Sequence, residues 1–170
     1  MKMIVTATEA HHGTLRAAGH VYDCTLGPSG VRAEKREGDG VTPVGVYPLR
    51  AIWYRADRIP QPVSTLPLHG IEQDDGWCDA PADPSYNRPV KLPYRASAEK
   101  MWRDDAVYDL VVILGHNDDP PVPGKGSAIF LHIANQAFGP TEGCIGLRRE
   151  DLLTLAALMT PASVIDIRTG

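Results

Sequence analysis

YDLVVIL, residues 108–114, is a nearly continuous run of apolar and β-branched side chains. A run of this kind is typical of a strand that is covered on both faces of a sheet. AIFLHI, residues 128–133, repeats the pattern and predicts a second core strand. Together the two segments predict a molecule organised around β-structure.

Weaker patterns on either side extend this prediction toward both ends of the chain. Four further strands are expected, at Met3–Thr6, Val21–Leu26, Val46–Tyr54 and Ser163–Arg168. One helix is expected at Arg149–Met159, because four apolar side chains follow a helical repeat: Leu152, Leu155, Ala156 and Met159. Ser97 is a candidate cap for a second, short helix that runs to about Arg103.

The composition fits one folded domain. The chain has 170 residues, of which 43% are hydrophobic and 22% charged, close to the average of soluble globular proteins. The 16 glycines and 15 prolines disfavour a helix bundle and favour short strands joined by turns. We therefore expect residues 1–170 to form a single, mainly β, sandwich-like domain with one or two short helices.

The charge balance argues against several classes of partner. Lys and Arg number 17 and Asp and Glu number 21, which gives a formal net charge of −4. A mildly acidic chain without a basic run is a poor nucleic-acid binder or membrane anchor. No stretch approaches the ~18 apolar residues of a membrane span, and the first residues, MKMIVTATEAHH, lack the apolar core of a secretory signal. We expect a cytoplasmic protein that binds neither nucleic acid nor membrane.

The cysteines and histidines give little support for a disulfide framework or a metal site. Three cysteines, Cys24, Cys78 and Cys144, are odd in number and widely spaced. His20 and Cys24 have a spacing that a metal ion tolerates, and His116 is a further candidate ligand. A metal-dependent hydrolase is thus the weakest of the functions considered, and no metal or other cofactor is expected.

Two polar regions complete the outline of the chain. The charge run Arg32–Asp39 is expected to be a solvated hairpin tip. Residues 56–95 are rich in proline and show little periodicity, which predicts a long ordered loop across one face. Loops of that length in a compact domain are often functional.

The segment Ile129–Arg148 carries the clearest chemical signal. It places His132 at the end of a core strand and Cys144 in a glycine-flanked turn. A free cysteine is mostly protonated at neutral pH, and a nearby imidazole that takes the proton corrects this. Gly143 permits a sharp bend that directs the N–H groups of Gly143 and Cys144 at one point, as an oxyanion hole requires. The spacing leaves a commoner alternative open, in which Cys144 is a small buried hydrophobe and His132 a satisfied core residue.

Two separated motifs resemble the L,D-transpeptidase (YkuD-type) catalytic domain family. Gly-Cys-Ile at 143–145, preceded by Thr141 and by a strand that ends in histidine, resembles the family's His, spacer, Ser/Thr-x-Gly-Cys pattern. KREGDGVTPVG, residues 35–45, is similar to its Gly-Asp-x-x-Thr-Pro-x-Gly hairpin. The loop 117–120 and the run 126–132 are similar to a compact, stand-alone branch of the family without a signal peptide. The resemblance covers roughly residues 20–168.

The resemblance implies catalytic roles for the second motif. Cys144 is then the nucleophile, His132 its proton acceptor, and the amides of Gly143 and Cys144 the oxyanion donors. Thr141 shapes the turn or contacts the substrate, and the Gly38–Gly45 hairpin is scaffold.

The chain also departs from the family pattern. Glu142 stands where many members have a second histidine, and Gly146 where they often have Arg or Asn. Arg148 is a candidate to replace that arginine and His116 a candidate to support His132, whereas a surface arginine and a loop histidine are the commoner explanations. The other candidates for substrate contact lie in loops: Asn117, Trp77, Tyr86 and Arg88. Packing of a long loop is the alternative explanation for the last three.

By resemblance, the substrate is a peptidoglycan stem peptide, cleaved between its third residue, often meso-diaminopimelate, and D-alanine. Attack by Cys144 gives a thioester. Water resolves the thioester in an L,D-carboxypeptidase that trims tetrapeptide to tripeptide, which is the activity expected of a cytoplasmic recycling enzyme. A second stem instead gives a 3–3 cross-link, and a free D-amino acid gives exchange.

Two further expectations follow from the resemblance. Carbapenem-type drugs, which acylate this family's cysteine, are expected inhibitors. The alternative from another class is a non-catalytic module that binds wall fragments on the same fold.

Overall fold

Fourteen strands and one helix make up the chain, and a computed structural model describes all of residues 1–170. In chain order the elements are β1 (Lys2–Ala7), β2 (His12–Ala17), β3 (His20–Thr25), β4 (Val31–Arg32), β5 (Thr42–Pro43), β6 (Gly45–Tyr54), β7 (Leu68–Gly70), β8 (Asp75–Cys78), β9 (Pro89–Lys91), β10 (Ala98–Lys100), β11 (Leu110–Leu114), β12 (Phe130–Ile133), β13 (Ile145–Leu147), α1 (Arg149–Ala156) and β14 (Val164–Arg168). The mainly β prediction is confirmed. The helix is too short to cross a membrane.

One large sheet contains nine of the strands, in the order β11-β12-β13-β3-β2-β1-β14-β6-β7. Strand β6 pairs with β14 through its first half and with β11 through its second half. The sheet therefore closes on itself, and the two layers expected of a sandwich are continuous through β6. A three-stranded sheet, β10-β8-β9, and the short β4–β5 pair lie outside it.

The two core runs lie side by side, as β11 and β12, and every residue of both is buried. Because successive side chains of a strand point to opposite faces, the two strands contribute to two separate cores. One face joins the main cluster of 26 buried residues. The other face, which includes Val111, Ile113 and Phe130, joins a cluster of nine that contains Trp77 and Cys144.

Most predicted elements are present, and the differences have physical causes. The strand predictions are confirmed with ends shifted by a residue or two, and α1 ends three residues before Met159, at Ala156. The helix expected from Ser97 to Arg103 was wrong, because Ala98–Lys100 instead pairs with β8 as a strand. The long region 56–95 contains three short strands, which its proline content obscures.

The expectation of a solvated hairpin tip at Arg32–Asp39 was wrong, because β4 and β5 on either side of the run pair in parallel and two of its charged side chains are bound to the protein. Lys35 is only 7% exposed, and its Nζ lies 2.5 Å from Oδ1 of Asp39. Asp39 also accepts hydrogen bonds from the backbone N–H groups of Arg36 and Val41. The charge run is thus folded onto the body of the protein around an internal ion pair.

Candidate active site

The register of two parallel strands brings His132 and Cys144 to the same face of the sheet. His132 pairs with Gly146, and Leu131 pairs with Ile145. Cys144 comes just before β13, beside Phe130, whose N–H donates to the Cys144 sulfur at 3.3 Å. His132 and Cys144 are therefore diagonal neighbours across the two strands.

Both side chains line one cleft of about 330 Å³. Loops and strands from distant parts of the chain complete its wall. The lining is rich in charged and polar groups, among them Glu99, Arg103, Tyr108, Ser127, Thr141 and Glu142.

The turn before Cys144 depends on a glycine. Gly143 has a φ of +117°, and a Cβ there would lie 2.6 Å from the carbonyl oxygen of Val41. The segment that contains Val41, which leads into β5, therefore packs directly against the cysteine turn, which fits its expected role as scaffold. β5 pairs with β4 in parallel, so this segment is not the expected hairpin. No residue with a side chain fits at position 143 without displacing it.

Thr141 closes the turn and accepts a hydrogen bond from the Gly143 N–H, one of the two expected oxyanion donors. Its hydroxyl donates to the carbonyl oxygen of Cys144 at 2.8 Å and accepts from the Gly143 N–H at 3.2 Å. The Cys144 N–H donates no hydrogen bond to the protein. The free backbone donor at this turn is thus that of Cys144, whereas the Gly143 N–H is engaged in the turn.

His132 is held in one orientation by the chain itself. Its ring is 6% exposed, and Nδ1 lies 2.9 Å from the carbonyl oxygen of Ile133. Since a carbonyl only accepts, we assign the ring proton to Nδ1, which leaves Nε2 as a free acceptor. Burial lowers the pKa of His132 to about 4. The imidazole is therefore neutral at pH 7 with Nε2 unprotonated, and burial opposes its protonation.

Cys144 rests as a thiol. Its Sγ–H donates to the carbonyl oxygen of Ala128 at 3.1 Å. Burial, followed by the charge of Glu99, raises the pKa of Cys144 to about 12. No hydrogen bond joins its sulfur to His132. The thiol must therefore leave the Ala128 carbonyl before its proton can pass to the imidazole.

Three residues near the imidazole, Glu99, Arg103 and Tyr108, were not predicted from the sequence. The Tyr108 hydroxyl donates to Glu99, and the Tyr108 ring meets His132 edge-on, with ring centroids 5.5 Å apart. The guanidinium of Arg103 lies 5.0 Å from the Tyr108 ring and pairs with Asp105. These residues belong to a short strand and a loop far from the cysteine motif, so no local pattern pointed to them.

Arg148 and His116, the candidates for a substrate-binding cation and for a partner of His132, lie outside the cleft. The guanidinium of Arg148 sits 4.8 Å from the ring of Phe138, outside the cleft. His116 packs against Tyr47, and its Nε2 lies 3.1 Å from the carbonyl oxygen of Lys125. The structure does not bring either residue to His132.

The loop candidates for substrate contact also lie outside the cleft. Asn117 hydrogen-bonds within its own loop, to Val122 and Gly126. Trp77 and Arg88 line a separate cavity of about 400 Å³. The hydroxyl of Tyr86 is bound to Glu37. Of the predicted substrate contacts, the cleft thus contains Thr141.

The candidate metal ligands do not converge. The side chains close enough to share an ion are three carboxylates, and the ammonium group of Lys91 lies within 2.6–2.9 Å of each: Glu72, Asp74 and Asp75. His20, Cys24 and His116 do not belong to this group.

A match to one protein family agrees with the motif arrangement. The YkuD family of L,D-transpeptidase catalytic domains matches residues 4–167. Among solved structures, L,D-transpeptidase 1 of Mycobacterium tuberculosis shares 15% sequence identity, over 99% of this chain and 62% of that chain, with a TM-score of 0.41. This chain thus spans less than two thirds of that protein. No curated protein matches the chain.

Proposed function

Since the chain belongs to the L,D-transpeptidase catalytic domain family and is an enzyme of that family, we propose that it is a cysteine acyl-enzyme acting on peptidoglycan stem peptides. The bond cleaved joins the third residue to D-alanine. The observation that carries the proposal is the one cleft that receives both His132 and Cys144 from adjacent parallel strands.

The first half of the reaction begins when the Cys144 thiol leaves the Ala128 carbonyl and turns toward His132. The Cys144 thiol gives its proton to Nε2 of His132, and the sulfur attacks the carbonyl carbon of the third residue. The Cys144 N–H, which has no protein acceptor, donates to the oxyanion as it forms. Collapse breaks the C–N bond, and the imidazolium gives its proton to the departing amine of D-alanine. A thioester remains on Cys144.

We propose that water completes the reaction, which makes the protein an L,D-carboxypeptidase. His132 takes a proton from the water, whose oxygen attacks the thioester carbon and releases the tripeptide acid and the thiol. The cleft of about 330 Å³ lies at the small end of ligand sites. Water needs no further groove, whereas a second stem peptide would require one. A cytoplasmic location, where soluble stem peptides are the available substrate, belongs to the same proposal.

The charges of the cleft suit a zwitterionic third residue. Meso-diaminopimelate carries an ammonium and a carboxylate at its far end. Glu99 and Glu142 offer acceptors for the ammonium, and Arg103 offers donors for the carboxylate. This arrangement supports diaminopimelate over lysine, which has no second carboxylate.

The test combines purified protein with monomeric tetrapeptide muropeptides and mass spectrometry of the products. Loss of one D-alanine is expected from the wild type and from Cys78→Ala, which changes a buried cysteine outside the cleft. Cys144→Ala is expected to give no product. Dimeric products would show that the enzyme cross-links stem peptides instead of hydrolysing them. Incorporation of a labelled D-amino acid would show that it catalyses exchange instead.

A second assay addresses the nucleophile without substrate turnover. A carbapenem is expected to add its mass to Cys144 and to leave Cys24 and Cys78 unmodified. An inert Cys144 together with an uncleaved tetrapeptide would contradict the proposed function.

One observation favours a second candidate, a module that binds wall fragments without cleaving them. The Cys144 thiol bonds to Ala128 and not to His132. For such a module, Cys144→Ala would bind stem peptides as tightly as the wild type, and neither protein would change their mass.

A further inference from the structure

Asn87 connects three segments of the chain through a fully used side-chain amide. It is 4% exposed and has a φ of +55°. Its Oδ1 accepts from the indole N–H of Trp77 at 2.9 Å and from the N–H of Ala128 at 3.1 Å. Its Nδ2 donates to the carbonyl oxygens of His116 and Asn117 at 3.0 and 2.7 Å. These four bonds are all that an amide side chain makes.

Ala128 is the residue through which Asn87 reaches the active site. Its φ of +52° lies in the left-handed region, which is unfavourable for alanine. The N–H of Ala128 donates to Oδ1 of Asn87, and the carbonyl oxygen of Ala128 accepts the Sγ–H of Cys144 at 3.1 Å. The strained conformation of this one residue thus sets where the thiol finds its acceptor.

The residues on either side reinforce the same connection. Ser127, next to Ala128, donates its hydroxyl to Oε2 of Glu37 at 2.8 Å. The same oxygen accepts from the hydroxyl of Tyr86, next to Asn87. Tyr86 thus holds Ser127 through Glu37, and Asn87 holds Ala128 directly, just before β12 begins. We call this pair of contacts the 86–87 clamp.

We propose that Asn87 is a positioning residue that acts through Ala128 to hold the Cys144 thiol in its resting orientation, from which the sulfur must be released before attack. A carbonyl acceptor stabilises S–H and cannot stabilise S⁻. The proposal deepens the proposed function, on which it rests for the role of Cys144 as nucleophile, but the position of the thiol is measurable without turnover.

The charged and titratable groups around the sulfur come from several elements and remain when the clamp is changed. They are His132 on β12, Glu99 on β10, Tyr108 before β11, Glu142 in the cysteine turn and Lys35 in the charge run. Asn87 and Ala128 carry no charge. Replacing Asn87 by alanine therefore alters the acceptor of the thiol and not the charges that face it.

The experiment is the pH dependence of Cys144 alkylation by iodoacetamide, resolved by peptide mass spectrometry. Asn87→Ala is expected to move the midpoint to lower pH and to raise the rate at pH 7 by about five- to tenfold, the factor of one lost hydrogen bond. Greater access alone would raise the high-pH plateau and leave the midpoint in place. An unchanged midpoint overturns the proposal.

Three further variants separate positioning from general stability. Asn87→Asp keeps the acceptor for the Ala128 N–H and is expected to show no shift to lower pH. Ser163→Ala removes a buried, remote hydroxyl that accepts from the Thr160 N–H, and it is expected to lower stability without moving the midpoint. Ser127→Ala breaks the other half of the clamp, and we expect a smaller shift in the direction of Asn87→Ala.

If Asn87→Ala does not fold, Ser127→Ala provides the test. An unchanged alkylation midpoint in Ser127→Ala would also overturn the proposal. Equal downward shifts in Asn87→Ala, Asn87→Asp and Ser163→Ala would also overturn it, by assigning Asn87 a structural role alone. Failure of the proposed function would appear separately, as an uncleaved tetrapeptide with the alkylation results unaffected.

Discussion

At the scale of single residues, Glu99 opposes ionisation of the nucleophile. Its charge is the second cause, after burial, of the raised pKa of Cys144. Glu99→Gln keeps an acceptor for the Tyr108 hydroxyl and removes the charge, so the alkylation rate of Cys144 at pH 7 is expected to rise roughly threefold. Burial raises the pKa of Glu99 itself, so the difference from the wild type shrinks as the pH falls and Glu99 takes up a proton. The matched control is Glu150→Gln, on the exposed side of α1; an equal effect there would contradict the assignment.

A second prediction at this scale concerns Gly143. Gly143→Ala combines a φ of +117° with a Cβ 2.6 Å from the Val41 carbonyl, and we expect it to lower the free energy of unfolding by about 2–4 kcal/mol. Gly124→Ala is the control, since its φ is +78° but nothing lies within 4 Å of the added Cβ; it isolates backbone strain, at about 1 kcal/mol. Urea unfolding of both variants measures the difference. Equal losses would remove the argument that the Val41 segment packs against the cysteine turn.

The residues differ in how far the sequence alone predicts them. Cys144 and His132 stand in one short segment whose strand and turn were recognisable. Their spacing alone left both as ordinary core residues, and the resemblance to a family motif predicted their pairing. Glu99 and Arg103 reach the same cleft from another part of the chain, and no spacing relates them to the cysteine. Asn117 and Tyr86 have the side chains of binding residues but use them to close loops, because buried polar groups must find partners.

At the scale of elements, Asp109 joins the start of β11 to two neighbouring segments. It is 3% exposed and accepts from Arg58 at 3.0 Å and from Arg149, at the start of α1, at 2.8 Å. Asp109→Ala is expected to lower the free energy of unfolding by about 2 kcal/mol, less than a fully buried pair because both arginines are partly exposed. Asp118→Ala, which breaks the more exposed pair with Arg50, is expected to cost about 0–1 kcal/mol. Denaturant titrations at low and high salt compare them; equal losses would contradict the role of Asp109.

The elements also show where local pattern stops being sufficient. β11 and β12 were predictable because both of their faces are buried and their residues are accordingly apolar throughout. The helix expected after Ser97 failed because pairing with β8 outweighs a local cap signal. β7, β8 and β9 have three or four residues each, too short for a period of two to be distinguished from loop.

At the scale of the whole molecule, the closed sheet and the layer packed on its outer face explain why His132 and Cys144 are buried. Closure depends on β6 pairing with both β14 and β11, a long-range arrangement that no stretch of sequence announces. His132 lies on the same face as Phe130, where the Tyr108 ring packs against it, and burial lowers its pKa to about 4. The same burial that makes the imidazole a neutral base therefore makes the fold sensitive to acid.

The sign of that sensitivity follows from proton linkage. Between the ordinary histidine pKa of about 6.5 and the folded value of about 4, the unfolded chain binds a proton that the folded chain does not. The contribution of His132 to stability is thus complete above the higher value and is lost as the pH falls toward the lower one, by at most about 3 kcal/mol. His132→Asn retains a donor for the Ile133 carbonyl and lacks this titration. Its unfolding free energy is expected to fall less steeply than that of the wild type over this range.

Denaturant titrations at several pH values measure the two slopes. Carboxylates whose pKa is lowered by hydrogen bonds and ion pairs, such as Asp39 and Asp75, also stabilise the fold less in acid. They are common to both proteins, so their contribution cancels in the difference. His20→Asn, at an exposed position, is expected to run parallel to the wild type. If His132→Asn also ran parallel, His132 would have to titrate alike in the folded and unfolded chains, which would contradict the lowering of its pKa by burial.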